Sequence, residues 1–341
     1  MKPIDWRALY ASNRAAIERA GVATSDLPAG TAVAGRPAAR DERTFTVAGQ
    51  TRRALVHAPA GVEPRTALPL VCMLHGCTQD AASFAAATLM NDAADRHGFV
   101  VVYPQQERGD NPRCCWNWFL PEHQARGRGE PASIAAIVRE LVGTASPWAI
   151  DPRRVFVAGL SAGGAMAAVM AATYPDLFAA VAVHSGLAYR SAADVGAALT
   201  AMARGSVDPV GGGRAAHAAM GRHARAVPSI VVHGSADATV APVNAERVLQ
   251  QSMAANRLAA PEAGDLDSER PTTTERGRVD GGHAYTRSRW TDRRGVLMHE
   301  RLEVDGLGHA WSGGAPGGSY TDPRGPDATE AIWRFFTQAT A

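Results

Sequence analysis

The 341-residue chain has little of the features that mark specialised protein classes. Its 35 Lys and Arg nearly cancel its 33 Asp and Glu, and a formal charge of +2 is too weak a field to imply a nucleic-acid or anionic-membrane partner. The arginines are also scattered rather than gathered in one run. No stretch approaches the ~18 apolar residues needed to span a bilayer, so no membrane partner is expected. Cysteine is scarce: four residues at 72, 77, 114 and 115, with none after them, do not make a disulfide scaffold. They also lack the CxxC spacing with nearby histidines that zinc usually needs, so neither a metal nor another cofactor is expected. The N-terminus has Lys2 but no apolar run after it, unlike a signal peptide. A cytoplasmic protein is therefore expected, or a secreted one if a leader has been removed.

What remains is an ordinary globular composition, 46% apolar and 20% charged, in a length compatible with one α/β domain. Residues 1–21 read as an amphipathic helix and 23–40 as an Ala/Gly/Pro linker. This divides the chain into an N-terminal helix and linker (1–40) and a catalytic domain (41–341). Alternating segments at 43–47 and 53–57 flank Ala48-Gly49-Gln50-Thr51, a hairpin signal. Strand patterns follow at 70–74, 99–103, 155–158, 179–184 and 229–233. Helical patterns lie between and after them at 81–97, 134–144, 163–174 and 244–256. This alternation predicts an α/β fold with a mostly parallel central sheet and helices on both faces. A terminal hairpin is predicted over 284–290 and 296–304, and a closing helix over 330–337. The charged, Thr- and Gly-rich stretch 262–282 reads as a mobile surface loop.

The strongest chemical signal is Val155-Phe-Val-Ala-Gly159-Leu-Ser161-Ala-Gly163-Gly164, a strand, then G-x-S-x-G, then a small-residue helix. G-x-S-x-G alone occurs in unrelated loops; the flanking strand and helix make Ser161 a nucleophile on a strained turn. At the N-terminus of the next helix, free N–H groups favour developing negative charge. A second turn, His75-Gly76-Cys77, ends an early strand. There the Cys77 amide, with the Ala162 amide, would form an oxyanion hole. The late strand ending in His233-Gly-Ser-Ala-Asp237 offers Asp237 as the orienting acid. Gly306-Leu-Gly308-His309 places His309 last in the Ser–acid–His order, as base. His184, His233 and Asp305 are weaker rivals. Cys77 could pair with Cys114 or Cys115, and Cys72 reads as a buried small hydrophobe.

Several stretches together resemble the polyhydroxybutyrate depolymerase family of esterases, related to feruloyl and acetyl-xylan esterases. They are Leu74-His-Gly-Cys-Thr-Gln79, Cys115-Trp-Asn-Trp-Phe119, Arg128-Gly-Glu-Pro131, Gly159-Leu-Ser-Ala-Gly-Gly164, His233-Gly-Ser-Ala-Asp237 and Gly306-Leu-Gly-His-Ala-Trp311. They span roughly residues 43–314. The resemblance implies the α/β-hydrolase fold, the triad Ser161–Asp237–His309 and an oxyanion amide at Cys77. It also implies an acyl cleft lined by Trp116, Trp118 and Trp311, with His75 beside them. Secreted members usually add a leader, a linker and a polymer-binding domain, and no such segments are visible. The expected activity is therefore hydrolysis of short-chain, hydroxyalkanoate-oligomer or hydroxycinnamoyl esters through an acyl-serine intermediate. The expected partner is a small or oligomeric ester. Alternatives are acyl transfer by the same triad, and a non-catalytic binding protein on a hydrolase scaffold.

Overall fold

The computed structural model describes residues 40–60, 67–144 and 146–340. The helix and linker expected before residue 40 lie outside the described residues. The described residues pack as one unit around a ten-stranded sheet.

The predicted hairpin is present as β1 (Arg40–Val47) and β2 (Gln50–His57), turning through Ala48 and Gly49, both at positive φ. Then come β3 (Leu68–Leu74), α1 (Ala81–Thr88), α2 (Met90–His97), β4 (Val100–Pro104), α3 (Gly129–Val142), β5 (Ile150–Leu160) and α4 (Ala162–Thr173). After these run β6 (Ala180–His184), α5 (Val195–Arg204), α6 (Pro209–Met220), β7 (Ser229–Gly234) and α7 (Val243–Ala259). The last elements are β8 (Thr273–Arg278), β9 (Ala284–Thr291), β10 (Leu297–Val304), the short pair β11 (Trp311–Ser312) and β12 (Thr321–Asp322), and α8 (Ala328–Ala339). The sheet order is β1-β2-β4-β3-β5-β6-β7-β10-β9-β8. Strands from β4 to β10 in that order pair in parallel, and an antiparallel pair closes each edge.

Alternate residues of the central strands serve opposite layers. Leu70, Cys72 and Leu74 join the core shared with α3, α4 and α7, while Val71 and Met73 join the one shared with α1, α2 and α8. Both faces are covered, so the strands carry continuous apolar runs rather than an in–out alternation. Against the second face, Phe336 stacks on Phe156 at 4.5 Å and Trp333 on Phe99 at 4.1 Å.

The structure corrects the sequence reading at three places. The helix expected over 81–97 is two helices, broken at Leu89 with φ of 56°. The carbonyls that would continue it are diverted: Ala87 O accepts from Ala315 N and Thr88 O from the Thr329 hydroxyl. The surface loop expected over 262–282 contains β8, an exposed edge strand whose polar sequence, Thr-Thr-Glu-Arg-Gly-Arg, has no apolar alternation. Finally, α5 and α6 were not anticipated. The run Gly211-Gly212-Gly213 argues against a helix, yet it lies within α6 because a Cβ at 213 would come within 2.4 Å of the Ala254 Cβ on α7. Close packing of two helices overrides propensity there.

Phe336 is fully buried and holds α8 to the sheet. Phe336→Ala should lower unfolding free energy by about 3–5 kcal/mol, read from denaturant midpoints; a loss below about 1 kcal/mol would contradict this account of the closing helix.

Candidate active site

Ser161 stands between β5 and α4 with φ 59° and ψ −119°, a conformation non-glycine residues rarely hold. The turn is possible because its neighbours carry no side chains. A Cβ on Gly159 would lie 2.3 Å from the Gly163 backbone, and one on Gly163 would lie 1.9 Å from Leu74 O. Ser161 N–H donates to His184 O (2.9 Å), which ties the turn to β6.

Beside the turn is the loop after β3. An ideal Cβ on Gly76 would sit 3.6 Å from the Ser161 Cβ, so this loop faces the candidate nucleophile. Three contacts fix it. Gly76 N–H donates to Gln79 Oε1 (2.9 Å), Thr78 N–H donates to Arg113 O (2.7 Å), and Cys77 is disulfide-bonded to Cys115. Of the two partners left open by the sequence, Cys115 is the one used; Cys114 and Cys72 are buried free thiols. Closing a loop of 38 residues' separation restricts the unfolded chain by about 4 kcal/mol on the loop-entropy account. Among the described residues, neither the Cys77 nor the Ala162 N–H has a hydrogen-bond acceptor. Both are available to a developing oxyanion.

On the other side, the loops after β7 and β10 are stitched together. Ser235 N–H donates to Val304 O (2.9 Å), Ala236 N–H to Leu307 O (3.0 Å), and Gly306 N–H to the Ser235 hydroxyl (2.9 Å). Gly306 has φ of 73°, whereas a side chain at Gly308 would meet nothing within 4 Å; only the first glycine is needed for the turn. These loops set His309 Nδ1 2.8 Å from Asp237 Oδ2. Asp237 Oδ1 accepts from the Thr239 and Val240 N–H groups, each at 2.9 Å. Burial alone would raise the Asp237 pKa, but hydrogen bonds from His233 and His309 and their charges hold it well below the carboxylate range. It therefore stays ionised, as an acid that orients a histidine must.

The rival histidines have other duties. His233 Nε2 donates to Val240 O (2.8 Å) and lies 3.4 Å from Asp237 Oδ2, bracing the acid from behind. His184 is fully buried; burial and then repulsion from His233 and His309 push its pKa down to about 3. In that neutral state its Nε2 accepts from Ser312 N–H (3.1 Å). Asp305 makes no bond to His309.

The four residues expected to line the cleft are instead interior, and that expectation is corrected. His75 is fully buried, and its Nε2 accepts from Gln106 N–H (3.1 Å). The proton therefore sits on Nδ1 and is donated to Gly76 O (2.9 Å), the carbonyl of the peptide whose N–H belongs to Cys77. Trp116, 3% exposed, packs its ring 5.6 Å from His75. Trp118 is 5% exposed and edge-on to Phe119. Trp311, 1% exposed, stacks on His184, packs edge-on to Phe84 and donates its indole N–H to Thr329. These side chains support the loops from beneath.

Sequence reasoning missed two groups. Tyr320 flanks His309, with ring centroids 6.3 Å apart, and its hydroxyl lies 3.3 Å from Thr78 Oγ1; it sits in a glycine-rich loop with no motif of its own. Glu130, inside the quoted Arg128-Gly-Glu-Pro131 stretch, is the other. Its carboxylate accepts from Asn117 N–H (2.7 Å), Asn117 Nδ2 (2.6 Å) and Gln106 Nε2 (2.5 Å). Gln106 in turn bonds His75 and Cys115 O, so one buried acid reaches both backbones that flank Cys77.

Burial raises the Glu130 pKa from 4.5 to about 7 despite those hydrogen bonds. A folded-state pKa above the unfolded one means that this group's stabilising contribution is complete below 4.5 and is lost as pH rises through about 7. The loss is on the order of 3 kcal/mol. Glu130→Gln cannot ionise, so its melting temperature should gain on wild type by several degrees between pH 5 and pH 8, whatever constant penalty the amide carries. A gap between the two proteins that does not change with pH would refute the assignment.

Comparison with known proteins gives a consistent picture. The family model described as Esterase PHB depolymerase matches residues 53–269, more than half of the chain. Poly(3-hydroxyalkanoate) depolymerase C of Paucimonas lemoignei is 44% identical over 198 residues, 57% of this chain and 46% of that protein. Feruloyl esterase B of Neurospora crassa is 37% identical over 121 residues, 35% of this chain and 39% of that one. The chain thus spans about half the length, or less, of these curated relatives. The solved acetyl xylan esterase from Aspergillus awamori superposes with a TM-score of 0.67 at 22% identity, over 88% of this chain and 100% of that one. The fold is accordingly that of the α/β-hydrolases, and the chain belongs to the Esterase PHB depolymerase family.

Proposed function

We propose that this chain is a serine carboxylic-ester hydrolase working through an acyl-enzyme, with Ser161 as nucleophile, His309 as base and Asp237 as orienting acid. The observations that carry the reading are the 2.8 Å His309–Asp237 bond and, at the strand-to-helix turn, a serine held at φ 59° with two open amide donors next to it. His309 Nε2 takes the Ser161 proton as Oγ attacks the ester carbonyl, and the Cys77 and Ala162 N–H groups hold the oxyanion. Collapse expels the alcohol, which His309 protonates. Water, deprotonated by His309, then releases the acid and restores Ser161. Fixed backbone donors suit this chemistry because they are oriented before charge appears; each is worth ~3 kcal/mol of barrier.

Short-chain, hydroxyalkanoate-oligomer and hydroxycinnamoyl esters are the proposed substrates. Relatives named a poly(3-hydroxyalkanoate) depolymerase and a feruloyl esterase support that range. Among the described residues no helix is long and apolar enough to cross a membrane. The Cys77–Cys115 bond favours an oxidising compartment, and with it the secreted alternative over the cytoplasmic one.

Ser161→Ala should lower kcat by about 10⁴-fold or more with an unchanged melting temperature, and adding His309→Ala should cost little further because the two act as a unit. Substantial turnover by Ser161→Ala would end the proposal. On p-nitrophenyl esters of increasing chain length, kcat/KM should fall as the acyl chain lengthens, and free acid should appear without an added acceptor alcohol. Faster turnover of long chains would contradict the proposed short-chain range.

A further inference from the structure

The Cys77 amide is aimed by the carbonyl at the other end of its own peptide. A peptide unit is planar, so fixing the Gly76 oxygen fixes the direction of the Cys77 N–H. That oxygen accepts from His75 Nδ1 (2.9 Å) and from Gln79 N–H (3.3 Å). Bonds to the carbonyl also polarise the peptide and make its N–H a stronger donor. His75 donates from Nδ1 because its Nε2 accepts the Gln106 N–H, so Gln106 sets the tautomer. The side chain of Gln106 gives one Nε2 hydrogen to Cys115 O (3.0 Å) and one to Glu130 Oε1 (2.5 Å). Cys115 is in turn bonded to Cys77. Both supports of the amide, the tautomer and the disulfide, therefore hang from one carboxylate.

The protonation state of Glu130 decides how firmly they are held. As a carboxylate it accepts from Gln106 and from the backbone and side-chain nitrogens of Asn117, with no hydrogen of its own to place. Such charge-assisted bonds are about twice as strong as neutral ones. A neutral carboxyl keeps weaker bonds and needs an acceptor for its O–H. His123 Nδ1, 3.7 Å from Oε2, already accepts from Glu130 N–H (3.0 Å). Asp110 opposes the ionisation and is itself paired with Arg52 on β2. Burial lowers the pKa of His75 and of His123, which follows Glu122 in the turn before α3, so both rings are neutral there. Helix α4 carries no titratable residue. On β1 and β5, which also pack on α3, Asp41 pairs with Arg43, Glu42 with Arg53, and Asp151 with Arg153 and Arg154.

We propose that Glu130 is a positioning residue for ester hydrolysis: its carboxylate, through Gln106, His75 and Cys115, aims the Cys77 N–H at the oxyanion, and the chemical step speeds up when this acid loses its proton. The inference rests on the esterase reading and deepens it. Desolvating the charge weakens the fold as a whole, whereas its hydrogen bonds act on this one loop. Stability and rate therefore respond to pH in opposite directions. An oxyanion donor meets full charge only in the transition state, so the effect falls on kcat and leaves KM.

Glu130→Gln tests the role, because the amide stands in for the neutral carboxyl. With the purified full chain and p-nitrophenyl acetate, kcat is measured for both proteins from about pH 5.5 to about pH 8.5, well below either melting temperature. Titration of His309 is common to the two and cancels in their ratio. The ratio of wild type to variant should be near one at the acid end. It should rise to about 10-fold at the alkaline end, part of the roughly 10²–10³-fold that a whole oxyanion donor is worth, with KM unchanged. Gln106→Ala cuts the link while leaving the backbone N–H on His75. It should lose the same alkaline gain, and Glu130→Gln added to it should change the profile no further. A Glu130→Gln ratio that stays flat with pH, a flat Gln106→Ala ratio where the first variant does not fold, or an effect in KM rather than kcat would overturn the role and leave the esterase reading standing. If the wild type releases no p-nitrophenol above the uncatalysed rate, the esterase reading falls, and this role with it.

Discussion

Two backbones meet at the centre of this molecule with no room for a side chain between them. The Leu74 carbonyl, at the end of β3, occupies the space where any residue at 163 other than glycine would put its Cβ, at 1.9 Å. That contact sets the distance between the two turns that matter. The turn carrying Ser161 cannot retreat from the turn carrying Cys77, because the small-residue start of α4 is wedged under the end of β3. The strained dihedrals of Ser161 follow from the same crowding, and a glycine at 159 is needed for the same reason. A single steric constraint therefore positions the candidate nucleophile and both open amides, and the other loops only have to approach it.

That dependence explains which parts of the site could be read from sequence. A backbone too crowded for Cβ atoms leaves glycines in a pattern, so G-x-S-x-G between a strand and a helix is visible without coordinates. Asp237 and His309 were legible for a related reason: each follows a strand of the parallel sheet, and strand order decides which loops share an edge. The central strands were equally plain, because burial on both faces leaves unbroken apolar runs. What could not be read is what tertiary contact imposes against local preference. Gly212 and Gly213 of α6 are helical with α7 lying against them, and the break at Leu89 exists because distant donors claim the carbonyls of α1. Strand β8 has an exposed polar face and no apolar alternation to announce it.

The lining residues failed for another reason. Proximity in sequence to a catalytic residue says nothing about which way a side chain points. Trp311 is two residues past His309, but between them the chain enters β11 and the indole turns inward onto His184 and Phe84. His75 is two residues before Cys77, yet both its ring nitrogens are used by backbone groups. Tyr320, eleven residues past His309 and in a loop without a motif, is the aromatic side chain that stands beside it.

Seen from the Cys77 amide, the buried polar groups form a second system around the steric one. The peptide between Gly76 and Cys77 has its carbonyl held by His75 and its following side chain tied covalently to Cys115. Glu130 touches neither atom, but through Gln106 and Asn117 it holds the segments on which both depend. A carboxylate is costly to bury unless its lone pairs are filled, and here three donors fill them at the expense of fixing Asn117 and Gln106 in single orientations. The orientation of the Cys77 amide, the candidate oxyanion donor, is thus supported by a buried acid one layer behind it, whose charge burial itself opposes.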